Sequence, residues 1–184
     1  HREDLVGIHR SYLQAGADFL KTNTFGANRV KLEGTGHSVE EVVFAGVRNA
    51  QQAVIECGHG LVFLDIGPTG KLLRPLGELD FEDAVSVFGE MVHAGVMAGA
   101  DAILIETMSD IYEAKAALLA AKEYSDLPVF VTMTFDQDGK LLTGGSIEVA
   151  VAVLEGLGAD AIGFNCGLGP KQMATLLPKL REAT

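Results

Sequence analysis

Tryptophan is absent from this 184-residue chain, and cysteine, proline and positive charge are scarce. The two cysteines, Cys57 and Cys166, cannot build a disulfide framework, which points to a reducing compartment and a cytoplasmic protein. Fourteen Lys and Arg against 25 Asp and Glu leave a formal net charge of −11, which excludes a general grip on nucleic acid. No apolar run is long enough for a membrane span, because Asp101 and Glu106, and again Glu155 and Asp160, break the longest ones. The opening His1-Arg2-Glu3-Asp4 lacks the pattern of a secretory signal. With no Met at the start and a stop at Thr184 straight after a helical pattern, both ends are expected to be cut. The histidines His1, His9, His37, His59 and His93 are scattered, and none closes a strand-like segment. A His-based metal cluster or a Ser-His-Asp triad therefore has no support. His9 and His93 fall in helical stretches and are expected at the surface or its boundary, while Met91 and Met97 are expected to pack helices.

What is present is apolar residue in quantity, 48% of the chain, enough for the core of one domain. Near-continuous apolar runs at Asp18–Phe25, Leu61–Gly67, Ala102–Met108, Val129–Phe135 and Ala161–Cys166 have the pattern of strands buried on both faces. Helical periodicity lies between them, as in Val42, Val43, Val47, Ala50, Ala53, Val54 and Cys57. Ser38 with Glu41 predicts a capping box for that helix. Asp80 is placed to cap a helix over Phe81–Val96, and Asp110 with Glu113 another running to about Tyr124. Gly16-Ala17-Asp18, Gly99-Ala100-Asp101 and Gly158-Ala159-Asp160 each stop a helical stretch and open a strand. Strict alternation with short connections means right-handed βαβ units and a single α/β domain over residues 1–184.

Such units build either an open doubly wound sheet or a (β/α)8 TIM barrel. No Gly-x-Gly-x-x-Gly turn or P-loop follows any strand. Polar residues gather instead at the C-terminal ends of all the predicted strands: Thr22-Asn23-Thr24, Asp65 before Gly67-Pro68-Thr69-Gly70, Glu106-Thr107, Thr132 with Thr134 and Asp136, and Asn165-Cys166. That distribution is the barrel rule, in which the site is built from strand ends and the loops after them. A full barrel takes roughly 250 residues, so a partial barrel lacking about three strands is expected.

Four kinds of residue at this rim could carry chemistry. Cys166, before the turn Gly167-Leu168-Gly169-Pro170, is a metal ligand or nucleophile, or else a small buried hydrophobe. Glu106 closes the apolar Ile103-Leu104-Ile105, where a carboxylate needs a partner: a substrate ammonium or general-base role on one reading, a salt bridge or helix cap on the other. Asp65 is likewise a carboxylate in an apolar strand, and the turn after it has backbone N–H groups that could receive an anion. Asn23 and Asn165 suit either orienting a polar ligand or bracing a loop. Cys57, with Gly58 as a helix stop and His59 beyond, lies at the opposite end and reads as structural.

Taken together, Lys21-Thr22-Asn23-Thr24-Phe25-Gly26-Ala27, Asp65-Ile66-Gly67-Pro68-Thr69-Gly70, Glu106-Thr107 with Ser109-Asp110, and Gly163-Phe164-Asn165-Cys166 resemble the homocysteine S-methyltransferase family. Met133-Thr134-Phe135-Asp136, Leu142-Thr143-Gly144 and Gly167-Leu168-Gly169-Pro170 extend the resemblance over essentially the whole chain, in its cobalamin-dependent branch. The resemblance implies strands two to six of a (β/α)8 barrel. It implies a zinc ion that binds the homocysteine thiol, with Cys166 as one of three cysteine ligands and the residue of catalysis. The other two belong to a Gly-Gly-Cys-Cys-Gly motif that this chain lacks. Glu106 would hold the amino group of homocysteine, and Asn23, Asp65 and Asn165 would shape the pocket rim. The methyl donor would be methylcobalamin on another module, with cobalamin and folate modules as partners. The isolated chain is then expected to be inactive, and to form a homo-oligomer that covers open strand edges. The competing readings are a non-catalytic α/β fragment and a metal-free barrel enzyme with Glu106 or Asp65 as acid–base.

Overall fold

The computed structural model describes residues 1–184. In chain order the elements are α1 (Arg2–Gln14), β1 (Phe19–Lys21), α2 (Arg29–Leu32), α3 (Val39–Cys57), β2 (Leu61–Ile66), α4 (Phe81–Ala98), β3 (Ala102–Met108), α5 (Ile111–Tyr124), β4 (Val129–Met133), α6 (Ile147–Gly156), β5 (Ala161–Phe164) and α7 (Pro170–Ala183).

The Gly-Ala-Asp triplets act at the feet of the strands. Gly16, Gly99 and Gly158 have φ of 96°, 86° and 82°, the left-handed conformation that ends a helix without a Cβ clash. The aspartate then ties one strand to its neighbour. Asp101 Oδ2 accepts the Val62 N–H at 2.7 Å, and Asp160 Oδ2 accepts the Val129 N–H at 2.8 Å. Asp18 does the same through its backbone carbonyl, which accepts from Leu61 N–H.

All strands run parallel in the order β1-β2-β3-β4-β5. Right-handed crossovers that always return to the adjacent strand put every helix on the same face. The helices accordingly pack in sequence, α1 on α3, α3 on α4, α4 on α5, α5 on α6 and α6 on α7. A doubly wound sheet reverses its strand order and covers both faces. This sheet does neither, so the barrel-type expectation holds. No helix is long and apolar enough to cross a membrane.

Burial follows the two faces. In β4, Val129, Val131 and Met133 are buried under the helices, while Phe130 and Thr132 on the other face are half-buried. Four strands stop earlier than their apolar runs. β1 ends at Lys21 because threonine hydroxyls replace the ladder beyond it: Thr22 Oγ1 accepts Asp65 N–H, and Thr24 Oγ1 donates to the Asp65 carbonyl. β3 keeps its full expected length, with a register irregularity between Ile105 and Met108.

The Ser38–Glu41 capping box on α3 is present in both directions. The other two cap expectations need correction. Asp80 occupies the N-cap of α4 but makes no capping hydrogen bond, because its carboxylate pairs with Arg74 at 3.0 Å. Asp110 caps α5 through Tyr112 N–H, whereas Glu113 turns away to Thr69. His9 is buried, not at the boundary: burial lowers its pKa, and Nε2 has no partner. Met91 is fully buried as expected, but Met97 is exposed near the end of α4.

At Gly95 helix α4 lies close on the sheet, where a Cβ would meet the isobutyl head of Leu64, itself fully buried. With no free volume to receive it, Gly95→Ala is expected to destabilise the fold by about 1–3 kcal/mol. The check is a lower urea midpoint with an unchanged slope.

Candidate functional site

The uncovered face is built by alternation. Phe19 and Lys21, Phe63 and Asp65, Leu104 and Glu106, and Phe130 and Thr132 point to it, while the residues between them point to the helices. Near the strand feet it is apolar: Phe19 stacks on Phe63 at 4.3 Å, and Phe63 meets Phe130 at 5.1 Å. Toward the C-terminal ends it becomes charged.

Three charged groups meet there. Lys21 Nζ lies 2.8 Å from both carboxylate oxygens of Glu106. The Glu106 side chain is 13% exposed and that of Lys21 45%, so the pair sits at the mouth of the face. Asp65 is buried beside them, and its Oδ1 has no hydrogen-bond partner. Its pKa is pushed up to about 7, first by burial and then by the negative charge of Glu106, with Lys21 opposing. Burial alone would lower the Lys21 pKa, but the Glu106 hydrogen bond and the charges of Asp65, Glu106 and Cys166 outweigh it and raise it. The sequence reading singled out both carboxylates but assigned nothing to Lys21. Its signal was available: a lysine closing an apolar strand, as Glu106 closes the one two strands away.

Asn165 and Cys166 form the second part of the rim. Asn165 Nδ2 donates to Thr107 Oγ1 at 2.9 Å, Thr132 Oγ1 donates to Asn165 Oδ1 at 3.2 Å, and Thr132 Oγ1 also receives Thr107 N–H at 3.3 Å. This network holds Thr107 at φ 63°, a strained conformation for a β-branched residue. Cys166 is the other non-glycine residue with positive φ, 56°, and it is exposed. One outlier thus lies in the last residues of β3 and the other just past the end of β5, both at this rim, a feature that composition and periodicity do not reveal. Asn23 is exposed, and its carboxamide oxygen lies beside Gly46 of α3, apart from the charged cluster.

The turn after β2 is a braced corner and not an open anion cradle. Gly67 N–H donates to the Phe25 carbonyl, Thr69 N–H to Glu113, and Lys71 N–H to Thr69 Oγ1. Glu113, buried on α5, takes hydrogen bonds from both the amide and the hydroxyl of Thr69. Burial nevertheless dominates and raises its pKa. A separate groove of about 600 Å³ lies away from the rim among α2, α3 and α4, lined by Leu32, Phe44, Glu90 and His93.

The expectation of a metal at Cys166 can be tested on the donors themselves. No three His, Cys, Asp or Glu side chains in residues 1–184 come together in a way that could hold a metal ion. Cys57 packs against the core at the end of α3, far from the rim. A catalytic zinc needs three protein ligands, and this chain offers one thiol. Its residues do not by themselves make a zinc site.

A sequentially ordered parallel sheet with helices on one face and polar groups at the strand ends defines a (β/α)-barrel-type fold, in which the C-terminal rim is the candidate site. Residues 1–184 match the family model of homocysteine S-methyltransferase. The chain is 34% identical over 189 residues to methionine synthase of Mycobacterium leprae (strain TN), covering 97% of this chain and 16% of that protein. It is also 34% identical over 187 residues to methionine synthase of Mycobacterium tuberculosis, with 96% and 16% covered. The chain thus spans about a sixth of the length of these curated relatives. Among solved structures it is similar to the metallated form of the homocysteine methyltransferase MmuM from Escherichia coli. That likeness has a TM-score of 0.86 at 23% identity, and covers 97% of this chain and 68% of the other. The oxidized form of the same enzyme gives a TM-score of 0.89 with 100% and 68% covered. At that identity the structural likeness is one of fold. The chain belongs to the homocysteine S-methyltransferase family.

The Asp65 shift has a definite consequence for stability. Below about pH 4 the carboxyl is protonated whether folded or unfolded. Between about pH 4 and 7 the unfolded chain loses the proton that the folded chain keeps, so stability falls as pH rises, and above about pH 7 the loss is complete. Asp65→Asn, which cannot ionise, is expected to be more stable than the parent by at least about 1 kcal/mol at pH 8, with the advantage vanishing toward pH 4. Urea unfolding across that range checks it, and a pH-independent difference would contradict it.

Proposed function

We propose that this chain is the homocysteine-binding part of a zinc-dependent methyltransferase that converts homocysteine to methionine, the methyl group coming from methylcobalamin on another module. Family membership and the resemblance to methionine synthase support the reaction class. The observation that carries the reading is the charged cluster itself. Glu106 already holds a primary ammonium, that of Lys21, on both carboxylate oxygens, so its geometry suits the α-amino group of an amino acid. Asp65 adds a second carboxyl, buried beside the pair, one of whose oxygens has no hydrogen-bond partner. The apolar layer of Phe19, Phe63 and Phe130 lies on the same face, toward the strand feet.

In this reading Asn165 holds the Thr107 corner in place, and so fixes where Glu106, one residue earlier, presents its carboxylate. Cys166 contributes one thiolate toward zinc, whose role is to bind the homocysteine thiol. The remaining ligands and the cobalamin and folate modules are not supplied by these residues. A cytoplasmic setting accords with two free thiols, Cys57 and Cys166. A second reading, a metal-free acid–base enzyme, draws on the Asp65 carboxyl poised near neutrality.

The test is binding of L-homocysteine against γ-mercaptobutyrate, the same thiol acid without its amino group, followed by calorimetry or NMR. Glu106→Gln is expected to weaken homocysteine binding at least about tenfold, or about 1.4 kcal/mol, and to leave γ-mercaptobutyrate unaffected. Equal binding of both ligands by the parent chain would refute the reading. Loss of all recognition on Asp65→Asn but not on Glu106→Gln would favour the acid–base alternative.

A further inference from the structure

Glu106 has no free oxygen in the ligand-free chain. Lys21 Nζ spans both at 2.8 Å, and the rest of the carboxylate is enclosed, with 13% of the side chain exposed. Beside it stands Asp65, 5% exposed, whose Oδ1 is buried without a hydrogen-bond partner. An incoming ammonium group therefore meets an acceptor pair already neutralised by a cation of its own chemical type.

We propose that Lys21 is a resident surrogate for the substrate's α-ammonium group, and that it leaves Glu106 when an α-amino acid binds and thereby sets the site's affinity and its selection for amino-acid thiols. This rests on the reading of Glu106 as the ammonium site.

The side chains make the exchange feasible. The Lys21 backbone is held in β1, opposite Phe63, so the strand does not have to move. Its side chain is 45% exposed, and rotation about its flexible stem carries the ammonium from the cluster into water. The exchange replaces one cation by another, so the Asp65–Glu106 pair is never left with two uncompensated charges. A ligand without an amino group cannot drive it, because displacing Lys21 would strand a half-buried carboxylate beside Asp65. The other cations of this region are committed elsewhere: Arg29 pairs with Glu90, and Lys31 lies over the Phe25 ring at 5.3 Å. Lys21 is thus the residue that an arriving ammonium must compete with. The same competition makes the site selective, since only a ligand that brings its own cation recovers the Glu106 interaction.

Two measurements test this. In the first, Lys21→Met is titrated with L-homocysteine and with γ-mercaptobutyrate. Homocysteine is expected to bind roughly tenfold tighter than to the parent chain, with no gain for γ-mercaptobutyrate. The second needs no substitution, and so stands if the variant fails to fold. The parent chain is trace-labelled with acetic anhydride, and acetylation at each lysine is read by mass spectrometry. Saturating homocysteine is expected to raise labelling of Lys21 several-fold relative to the exposed Lys71 and Lys179, and γ-mercaptobutyrate is expected to leave it unchanged. If Glu106→Gln weakens homocysteine binding while Lys21 stays protected and Lys21→Met binds no tighter, the surrogate role is overturned and the ammonium site survives. If homocysteine does not bind, or Glu106→Gln binds it as well as the parent, the ammonium site itself fails and the surrogate role falls with it.

Discussion

Each crossover in this chain brings the next strand in directly beside the last, with its helix on the same side. From that constraint the rest of the structure follows. One face of the sheet is covered by helices and holds the buried core. The other is left to whatever the alternate residues of five strands present, which is aromatic near the feet and charged near the C-terminal ends. The site is therefore a product of strand parity rather than of a loop. Moving Lys21, Asp65 and Glu106 to the other face would place three charges under helices packed with Ala, Val and Leu, where nothing could compensate them.

Within the rim, charge and strain are arranged side by side. The charged cluster lies on β1, β2 and β3, and the hydroxyl–amide network of Thr107, Thr132 and Asn165 runs from β3 through β4 to the residue just after β5. β3 belongs to both, and its register irregularity falls between Ile105 and Met108, the stretch that holds Glu106 and Thr107. The left-handed Thr107 is held by hydrogen bonds to two side chains, Thr132 and Asn165, rather than by any preference of its own. A corner maintained in this way keeps a neighbouring carboxylate in one place without burying it completely.

Much of this was legible in the chain before any coordinates. The apolar runs located all five strands, the three Gly-Ala-Asp triplets located the feet of β1, β3 and β5, and the polar strand ends located the rim. Asp65 and Glu106 stood out because a carboxylate in an apolar strand demands a reason. What escaped depends on which partner a side chain chooses. Asp80 has the right spacing for a cap, yet Arg74 offers a stronger electrostatic partner than a backbone N–H. Glu113 has the right spacing for a capping box, yet the Thr69 turn arrives from 44 residues away and takes it. His9 and Met97 sit in helical patterns whose faces cannot be told apart until the neighbouring helices are in place. Lys21 carried the same signal as Glu106, but its partner comes from another strand, 85 residues on.

The aspartate clamps at the strand feet bear on the rim at the far end. Asp101 takes its hydrogen bond from Val62, in the strand laid down by the preceding unit, and Asp160 does the same with Val129. A parallel strand shifted by a single residue turns its entire set of side chains over. In β3 that slip would send Glu106 beneath the helices and bring Ile105 to the open face. Asp101 and Glu106 are five residues apart, roughly 16 Å along a strand. A carboxylate at the bottom of the sheet thus acts as the alignment mark for a carboxylate at the top. β3 and β5 take their phase from the strand before, and Glu106 is aligned from below.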